Sequence, residues 1–475
     1  MQHNNPFICG NPIPPDKLIG RNDELSKVAW RISTGQSTAI TGPLHCGKTS
    51  ILDYLRASQK QAELYGDKAN QLIFCYSEAN TLGEEADQVQ FWDKALKPLQ
   101  DDINIPKIPS FLSEAYQTCQ EKQFGNHELE KFIARLGGEN WQLVLMIDEF
   151  DALLHHPKLN STEFFGGLRS LASQSKGALM LVIASNMPVS QLNKETQHFN
   201  PTGSPYFNFM RHIILAPLPD AEIDQLLHQG DIFFTEEDHR FVKNIAGGHP
   251  YLLQVAASSL WEIYEKGAQK YSLKRQQCAR QELYDQVAYN MLEVMWQRWT
   301  ENTQKEFVFF VHTYFEQQQI PLQPVDINKL LEIKFDQMIP KEKKSLLNEL
   351  KQSGLVAQEG SDGWRGFPNI FLDFVIENQL WESCDKQPRE DSQAVHQDDD
   401  ILEKLFTPTF LILMFMGTIV GERLGYFLTH EDFGILSIFS GESPLLVNII
   451  KFCGAMLGGF LGYKLASKMS QIKKA

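Results

Sequence analysis

The chain has 475 residues with a formal net charge of −15, and 22% of its residues are charged. That length is too great for one ordinary core and points to roughly two to four domains. The acidic balance gives little long-range attraction to a phosphate backbone, so nucleic acid is not the favoured partner unless a local basic patch overrides the average.

The first residues, 1–16, are polar and proline-rich and read as a loose leader without a secretory signal. From Leu18 the chain predicts a helix with Leu25, Val28, Ala29 and Ile32 on its apolar face. A short strand then runs into a glycine-rich turn at Gly42 and a following helix. Further buried strands are predicted within Gln71–Ala79, Trp141–Phe150 and Ala178–Asn186, with a fifth near His212–Pro217 and helical segments between them. Strands alternating with helices predict an α/β core, residues 17–218, with a parallel sheet covered on both faces. From about Asp220 the strands stop. Residues 219–300 read as a helical lid, including a long helix over about 280–300. Residues 301–382 read as helices, then strand, polar turn at Gly360–Gly363 and strand, an order that suits a winged helix. Residues 383–404 are polar and charged and read as a flexible linker.

Seven cysteines, Cys9, Cys46, Cys75, Cys119, Cys278, Cys384 and Cys453, are scattered and never spaced as CxxC. This argues against a zinc site and a disulfide framework, and fits a reducing cytosol for the soluble part.

Gly42, Pro43, Leu44, His45, Cys46, Gly47, Lys48 and Thr49 match GxxxxGK[ST] in full, between a predicted strand and a predicted helix. Glycines let main-chain N–H groups turn inward around phosphates, and the helix N-terminus adds positive potential. Lys48 supplies a point charge to the β and γ oxygens, Thr49 offers a hydroxyl to Mg²⁺, and Ser50 is counted with the nucleotide-binding residues of the loop. Asp148 and Glu149 end a buried strand, at the sheet edge where ligands bind. Asp148 is the candidate Mg²⁺ holder and Glu149 the candidate base that orients the attacking water. Asn186, after the next predicted strand, is a candidate for contact with the γ-phosphate or the water, and otherwise a turn-former. Arg169 and Arg211 are candidate charge stabilisers acting across a subunit interface, and otherwise solvated arginines.

These boxes resemble, in order, those of STAND and Orc/Cdc6-like AAA+ ATPases. Gly20, Arg21 and Glu24 match the box that precedes the P-loop in that family, Asp148–Asp151 match its acidic strand end, and Gly248-His249-Pro250 match the STAND GxP signature. The resemblance covers residues 17–380. It implies bound ATP or ADP with Mg²⁺, slow or fast hydrolysis, Gly20 and Arg21 packed near the adenine, and a lid that touches nucleotide at Pro250. It also implies oligomerisation in the ATP state in response to an unknown trigger. The repeat array that usually follows in STAND proteins is missing, which keeps the Orc-like alternative of a DNA-binding winged helix open. Lys341, Lys343, Lys344 and Lys351 are the lysines for that role, although acidic residues are interleaved with them.

Leu405–Leu428 and Leu445–Leu465 are each long and apolar enough for a bilayer span. The link between them carries Glu431, Asp432 and Glu442 without Lys or Arg, whereas the far end of the second carries Lys464, Lys468, Lys473 and Lys474. The positive-inside rule then places the link outside and both termini, with the ATPase, in the cytoplasm, at the inner membrane in a bacterium. Gly417, Gly421 and Gly425 in the first span, and Gly454, Gly458 and Gly462 in the second, form a glycine-zipper pattern through which helices associate in lipid. Glu422 and Lys451 fall at one depth and are expected to pair. The whole reads as a membrane-anchored, nucleotide-driven STAND-like switch, by analogy a bacterial conflict or antiphage effector. The alternatives are a tethered Orc-like module or a nucleotide-gated scaffold with negligible turnover.

Overall fold

A computed structural model of the chain describes residues 4–99, 110–267, 272–321, 335–360 and 363–378, with Ile333 and Leu380. The linker and both candidate spans lie outside the described residues. Among the described residues no helix is long and apolar enough to cross a membrane.

Five strands build the core sheet: β1 (Thr38–Thr41), β2 (Leu72–Glu78), β3 (Gln142–Asp148), β4 (Leu179–Ser185) and β5 (Arg211–Ile214). All pairings are parallel, and the lateral order is β2-β3-β4-β1-β5. The strands read as near-continuous apolar runs because both faces are covered, and successive side chains go to opposite faces. Leu143, Leu145 and Ile147 of β3, with Leu179, Leu181 and Ile183 of β4, pack on one side against Phe91, Trp92, Phe132, Phe164 and Phe165. Val144, Met146, Met180, Val182 and Ala184 pack on the other side against helices α1 (Asn22–Ser33) and α2 (Lys48–Arg56). The four apolar positions predicted for the first helix are the four that α1 buries.

Beyond the sheet the chain is helical. The first lid helix, Asp220–Leu227, is followed by the second, Glu236–Ala246, and the third, Pro250–Glu265. The second has both halves of a capping box on Thr235 and Asp238. The third has proline in its first turn, where the missing N–H costs no hydrogen bond. The helix expected over about 280–300 is instead Ser272–Val287, one π-helical turn Ala288–Leu292, and the short Glu293–Gln297. It stops because Thr300 caps a new helix, Glu301–Gln317, by accepting from the Thr303 N–H at 3.2 Å. Helix Lys344–Gln352 then leads to an antiparallel hairpin of β6 (Ala357–Glu359) and β7 (Gly363–Arg365), and helix Ile370–Glu377 closes the described region. One continuous apolar core runs from Leu218 to Ile376, so the lid and the hairpin region that follows it are packed as one body across the expected division at residue 300.

The leader is not loose over its described part. Phe7 is 6% exposed, stacked on Phe234 at 5.6 Å and edge-on to Trp261 of the third lid helix. The leader then crosses to the sheet side, where the Ile13 N–H donates to Ser50 Oγ at 2.9 Å.

Candidate nucleotide site

The loop from Gly42 to Gly47 leaves β1 at the carboxyl edge of the sheet and enters α2. Its path needs left-handed backbone at Gly47 (φ 96°) and at His45 (φ 56°). Gly42 is held to glycine by crowding, since a Cβ there would lie 2.7 Å from Cys46 Sγ. Lys48, 5% exposed, donates from Nζ to the Pro43 carbonyl at 2.8 Å, the Gly42 carbonyl at 3.2 Å and Asn186 Oδ1 at 2.8 Å. Its charge is thus aimed over the loop and the start of α2, where main-chain N–H groups and the helix dipole attract an anion.

Because β4 lies between β1 and β3, its end delivers a residue between the lysine and the acids. Asn186 fills that place. Its Oδ1 faces Lys48, its Nδ2 donates to Glu149 Oε2 at 2.8 Å and to Asp151 Oδ2 at 3.3 Å, and its N–H donates to Asp151 Oδ1 at 2.9 Å. The amide orientation follows from those partners, because only Oδ1 can accept from an ammonium and only Nδ2 can donate to carboxylates. Glu149 has left-handed backbone (φ 50°), an uncommon conformation for a side chain of this kind. Burial pushes its carboxyl above the ordinary range. Lys48 and the Asn186 hydrogen bond pull the other way, while Asp151 and Asp148 add to the rise. A carboxylate of raised basicity beside a cation suits a group that takes or orients a water proton.

Asp148, 2% exposed, accepts from Thr49 Oγ1 at 2.7 Å and from the Tyr76 hydroxyl at 3.2 Å through Oδ2, and from the Glu149 N–H at 2.9 Å through Oδ1. A hydroxyl and a carboxylate oxygen side by side are hard donors of the kind Mg²⁺ prefers, so Thr49 and Asp148 fit that ion. Tyr76 supports them from β2, and its own phenol is pushed up by burial and by Asp148.

Arg21 ties this edge to the lid. It is 4% exposed and donates from one terminal nitrogen to the Ala216 carbonyl at 2.6 Å and from the other to the Cys46 carbonyl at 3.4 Å. Its N–H donates to Glu222 Oε2 of the first lid helix at 3.1 Å. Gly20, at φ 77°, leaves room for that carboxylate, since a Cβ would lie 2.4 Å from Glu222 Oε2. On the other side His249, which caps the third lid helix, donates from Nε2 to the Leu44 carbonyl at 2.9 Å. Burial pushes its imidazole down to about 3, so the ring is neutral and its buried Nδ1 has no partner. His45 packs on Tyr251 at 4.9 Å. A pocket of about 1000 Å³, counting its open mouth, is lined by the leader from Ile8 to Ile13, by Lys17–Ile19 and Arg21, by His45–Ser50, by Glu149, and by Pro250, Tyr251 and Gln254 of the lid.

The two candidate arginines lie elsewhere. Arg169 donates to the carbonyls of Ser204 and Pro205 at 2.8 and 3.2 Å, and Arg211 opens β5 opposite Thr38, at the sheet edge far from the loop. Lys341, Lys343, Lys344 and Lys351 are all exposed, and Lys343 lies over the Phe310 ring at 5.7 Å. Sequence alone assigns no role to Asp151, Tyr76, Glu222, His249 or the leader's Ile13. For Asp151 and His249 the signal was present, since each sits inside a matched box. For the others only the fold reveals the contact.

A parallel sheet with a lysine-bearing glycine loop after β1, acids after β3 and a polar bridge after β4 defines a P-loop nucleoside triphosphatase fold. The chain belongs to the AAA-like domain family, whose model matches residues 21–338. Among solved structures it is similar to the Walker-type ATPase PABY2304 of Pyrococcus abyssi, with 15% identity, 78% of this chain and 99% of that chain covered, and a TM-score of 0.49. It is also similar to the ORC2 protein of Aeropyrum pernix in its ADPNP–ADP complexes, at 13% identity, 78% and 98% coverage, and a TM-score of 0.44. The DNA-bound ORC of Drosophila shares 15% identity over 78% of this chain and 88% of that one, with a TM-score of 0.37. No curated protein matches the sequence.

Proposed function

We propose that the chain is an ATP-driven switch of the STAND kind, anchored to a membrane by its C-terminal segments. The observation that carries the reading is the Asn186 bridge between Lys48 and Glu149, with the lid's His249 bonded to the same loop. Lys48 and the N–H groups from Gly42 to Gly47 grip the phosphates, and Ser50 holds the leader beside them. Thr49 and Asp148 hold Mg²⁺, which when bound neutralises charge on the phosphates. Glu149 orients the attacking water, and Asn186 keeps Lys48 and Glu149 at a fixed separation. Gly20, Arg21 and Pro250 place the lid against the adenine side. Nucleotide exchange or hydrolysis changes what the loop presents to His249, and so shifts the lid and the hairpin region packed with it.

The membrane part rests on span length, charge asymmetry and glycine spacing over 405–428 and 445–465. In this reading the ATP state self-associates, hairpins meet through their glycine faces, and an unidentified trigger sets the equilibrium. A role in bacterial conflict follows from architecture by analogy alone. The test follows the mass of the detergent-solubilised chain with Mg-ADP and with a non-hydrolysable ATP analogue, alongside turnover of the wild type and Glu149→Gln. ATP-dependent growth in mass and loss of turnover in the variant support the switch. Magnesium-independent failure to bind adenine nucleotide removes it. Salt-dependent DNA binding by the full chain would favour the Orc-like alternative instead.

A further inference from the structure

At the end of the lid away from its proline cap, three ligating side chains converge. His228 starts the 3-10 turn His228–Gly230 after the first lid helix, Asp231 follows that turn, and His239 lies one turn into the second lid helix. His228 Nδ1 is 2.8 Å from Asp231 Oδ2, and His239 Nε2 is 3.1 Å from Asp231 Oδ1. One donor atom from each residue lies within 4.8 Å of the other two, and the imidazole rings are 5.7 Å apart. His239 is 9% exposed, and its Nε2 is buried without a hydrogen-bond partner, because the approach to Asp231 is not aligned as a hydrogen bond. A buried polar nitrogen left unmatched is destabilising, because its lost hydration is not replaced. Here it points at a carboxylate that a second imidazole also faces.

We propose that His228, Asp231 and His239 form a binding site for a divalent first-row transition ion of the zinc class. Two imidazole nitrogens are borderline donors that, joined by one carboxylate, suit such ions, whereas Mg²⁺ and Ca²⁺ take shells of hard oxygen donors. Ligand bonds of about 2.0–2.2 Å in a tetrahedral shell put donor atoms roughly 3.3–3.6 Å apart, so the two His–Asp231 approaches, each to a different carboxylate oxygen, open slightly while the three donors, already within 4.8 Å of one another, draw in around the ion. The cation takes the lone pair of His239 Nε2 and so satisfies the unmatched atom. His228 and Asp231, with side chains 62% and 51% exposed, give the ion its path from solvent and leave water to complete the shell. Bound there, it clamps the end of the first lid helix to the second. The absence of CxxC from the sequence bears only on cysteine sites, and this site uses none.

The test uses the full chain in detergent, stripped of metal, with thiols alkylated and no nucleotide present. It is titrated with Zn²⁺ against a chromogenic chelator and, separately, with Co²⁺, whose visible ligand-field band reports its coordination. One equivalent of Zn²⁺ per chain is expected. His228→Ala and Asp231→Asn, both at exposed positions that the fold tolerates, should each weaken it by at least the roughly 10–100-fold that losing an outer-shell partner costs. His239→Gln should do the same, with circular dichroism confirming that it is folded. Absence of stoichiometric uptake, or uptake that His228→Ala and Asp231→Asn leave unchanged, overturns the site.

Discussion

His249 Nε2 donates to the carbonyl of Leu44 at 2.9 Å, so the residue that caps the third lid helix is bonded directly to the phosphate-binding loop. The ring is 4% exposed, and its neighbours Arg21, Lys48 and His45 all disfavour a second proton.

A free imidazole titrates at 6.5 and His249 at about 3 in the folded chain, so the fold binds fewer protons than the unfolded chain between those values. The His249 contribution is therefore complete above 6.5 and is lost as pH falls from there towards 3. At pH 5 the loss is about 2 kcal/mol, at about 1.4 kcal/mol per pH unit. Unfolding midpoints for the wild type and His249→Gln, measured from pH 7.5 to pH 5, should converge as the pH drops. A gap that stays constant with pH would mean that the ring is already able to take a proton in the fold.

Asn186→Ala removes the spacer between Lys48 and Glu149. Turnover should fall by about 10²–10³, the loss typical for one preorganised donor, while nucleotide affinity changes much less. Steady-state hydrolysis and equilibrium binding of a fluorescent nucleotide separate the two. If affinity collapses and turnover per bound nucleotide stays intact, Asn186 serves binding and not the water.

Phe7→Ala takes away the anchor that seats the leader between Phe234 and Trp261. The local cost is about 3–5 kcal/mol for a buried Phe. It should appear as release of residues 8–13 and not as global unfolding, since the sheet faces are built from other residues. Amide exchange of the leader should rise and nucleotide should dissociate faster. An unchanged dissociation rate with an exposed leader would show that the strap does not retain ligand.

Gly354, at φ 72°, sits where a Cβ would lie 2.6 Å from Pro43 Cδ and 2.7 Å from the Leu215 carbonyl. Gly354→Ala therefore pushes the hairpin region off the phosphate loop, at a cost of about 1–3 kcal/mol. Nucleotide affinity should drop although position 354 is more than three hundred residues from Gly42 in sequence. Calorimetric titration with ADP is the measurement, and an unaltered affinity would uncouple the two regions.

Strands and phosphate loop were legible in the sequence because their signals are local. The unbroken apolar runs of β3 and β4, the spacing of Leu25 to Ile32, and the fixed interval between Gly42 and Lys48 each need only a short window. Asn186 was legible as well, from its place after a buried strand, but its two partners were not, since these depend on β4 lying between β1 and β3. The leader misled because proline and polar residues dominate it, and only Phe7 carries the apolar contact that fixes it. The break near Ala288 was hidden because the apolar spacing continues unbroken across it, with Val287, Ala288, Met291 and Leu292 all buried. His228, Asp231 and His239 are not legible as a set, because His239 lies on the next helix and only the fold brings it beside the other two.

The strap from Phe7 to Ile13 also sets an order of events during synthesis. Its anchor needs Trp261, and the loop it overlies rests against Gly354. A nascent chain that has finished the sheet at Ile214 has every phosphate-gripping residue yet no closed pocket. Emergence of the third lid helix is what recruits the earliest residues of the polypeptide, a long loop closure that is slow by its nature. Competence to retain nucleotide thus arrives late on the ribosome, after most of the chain has been made.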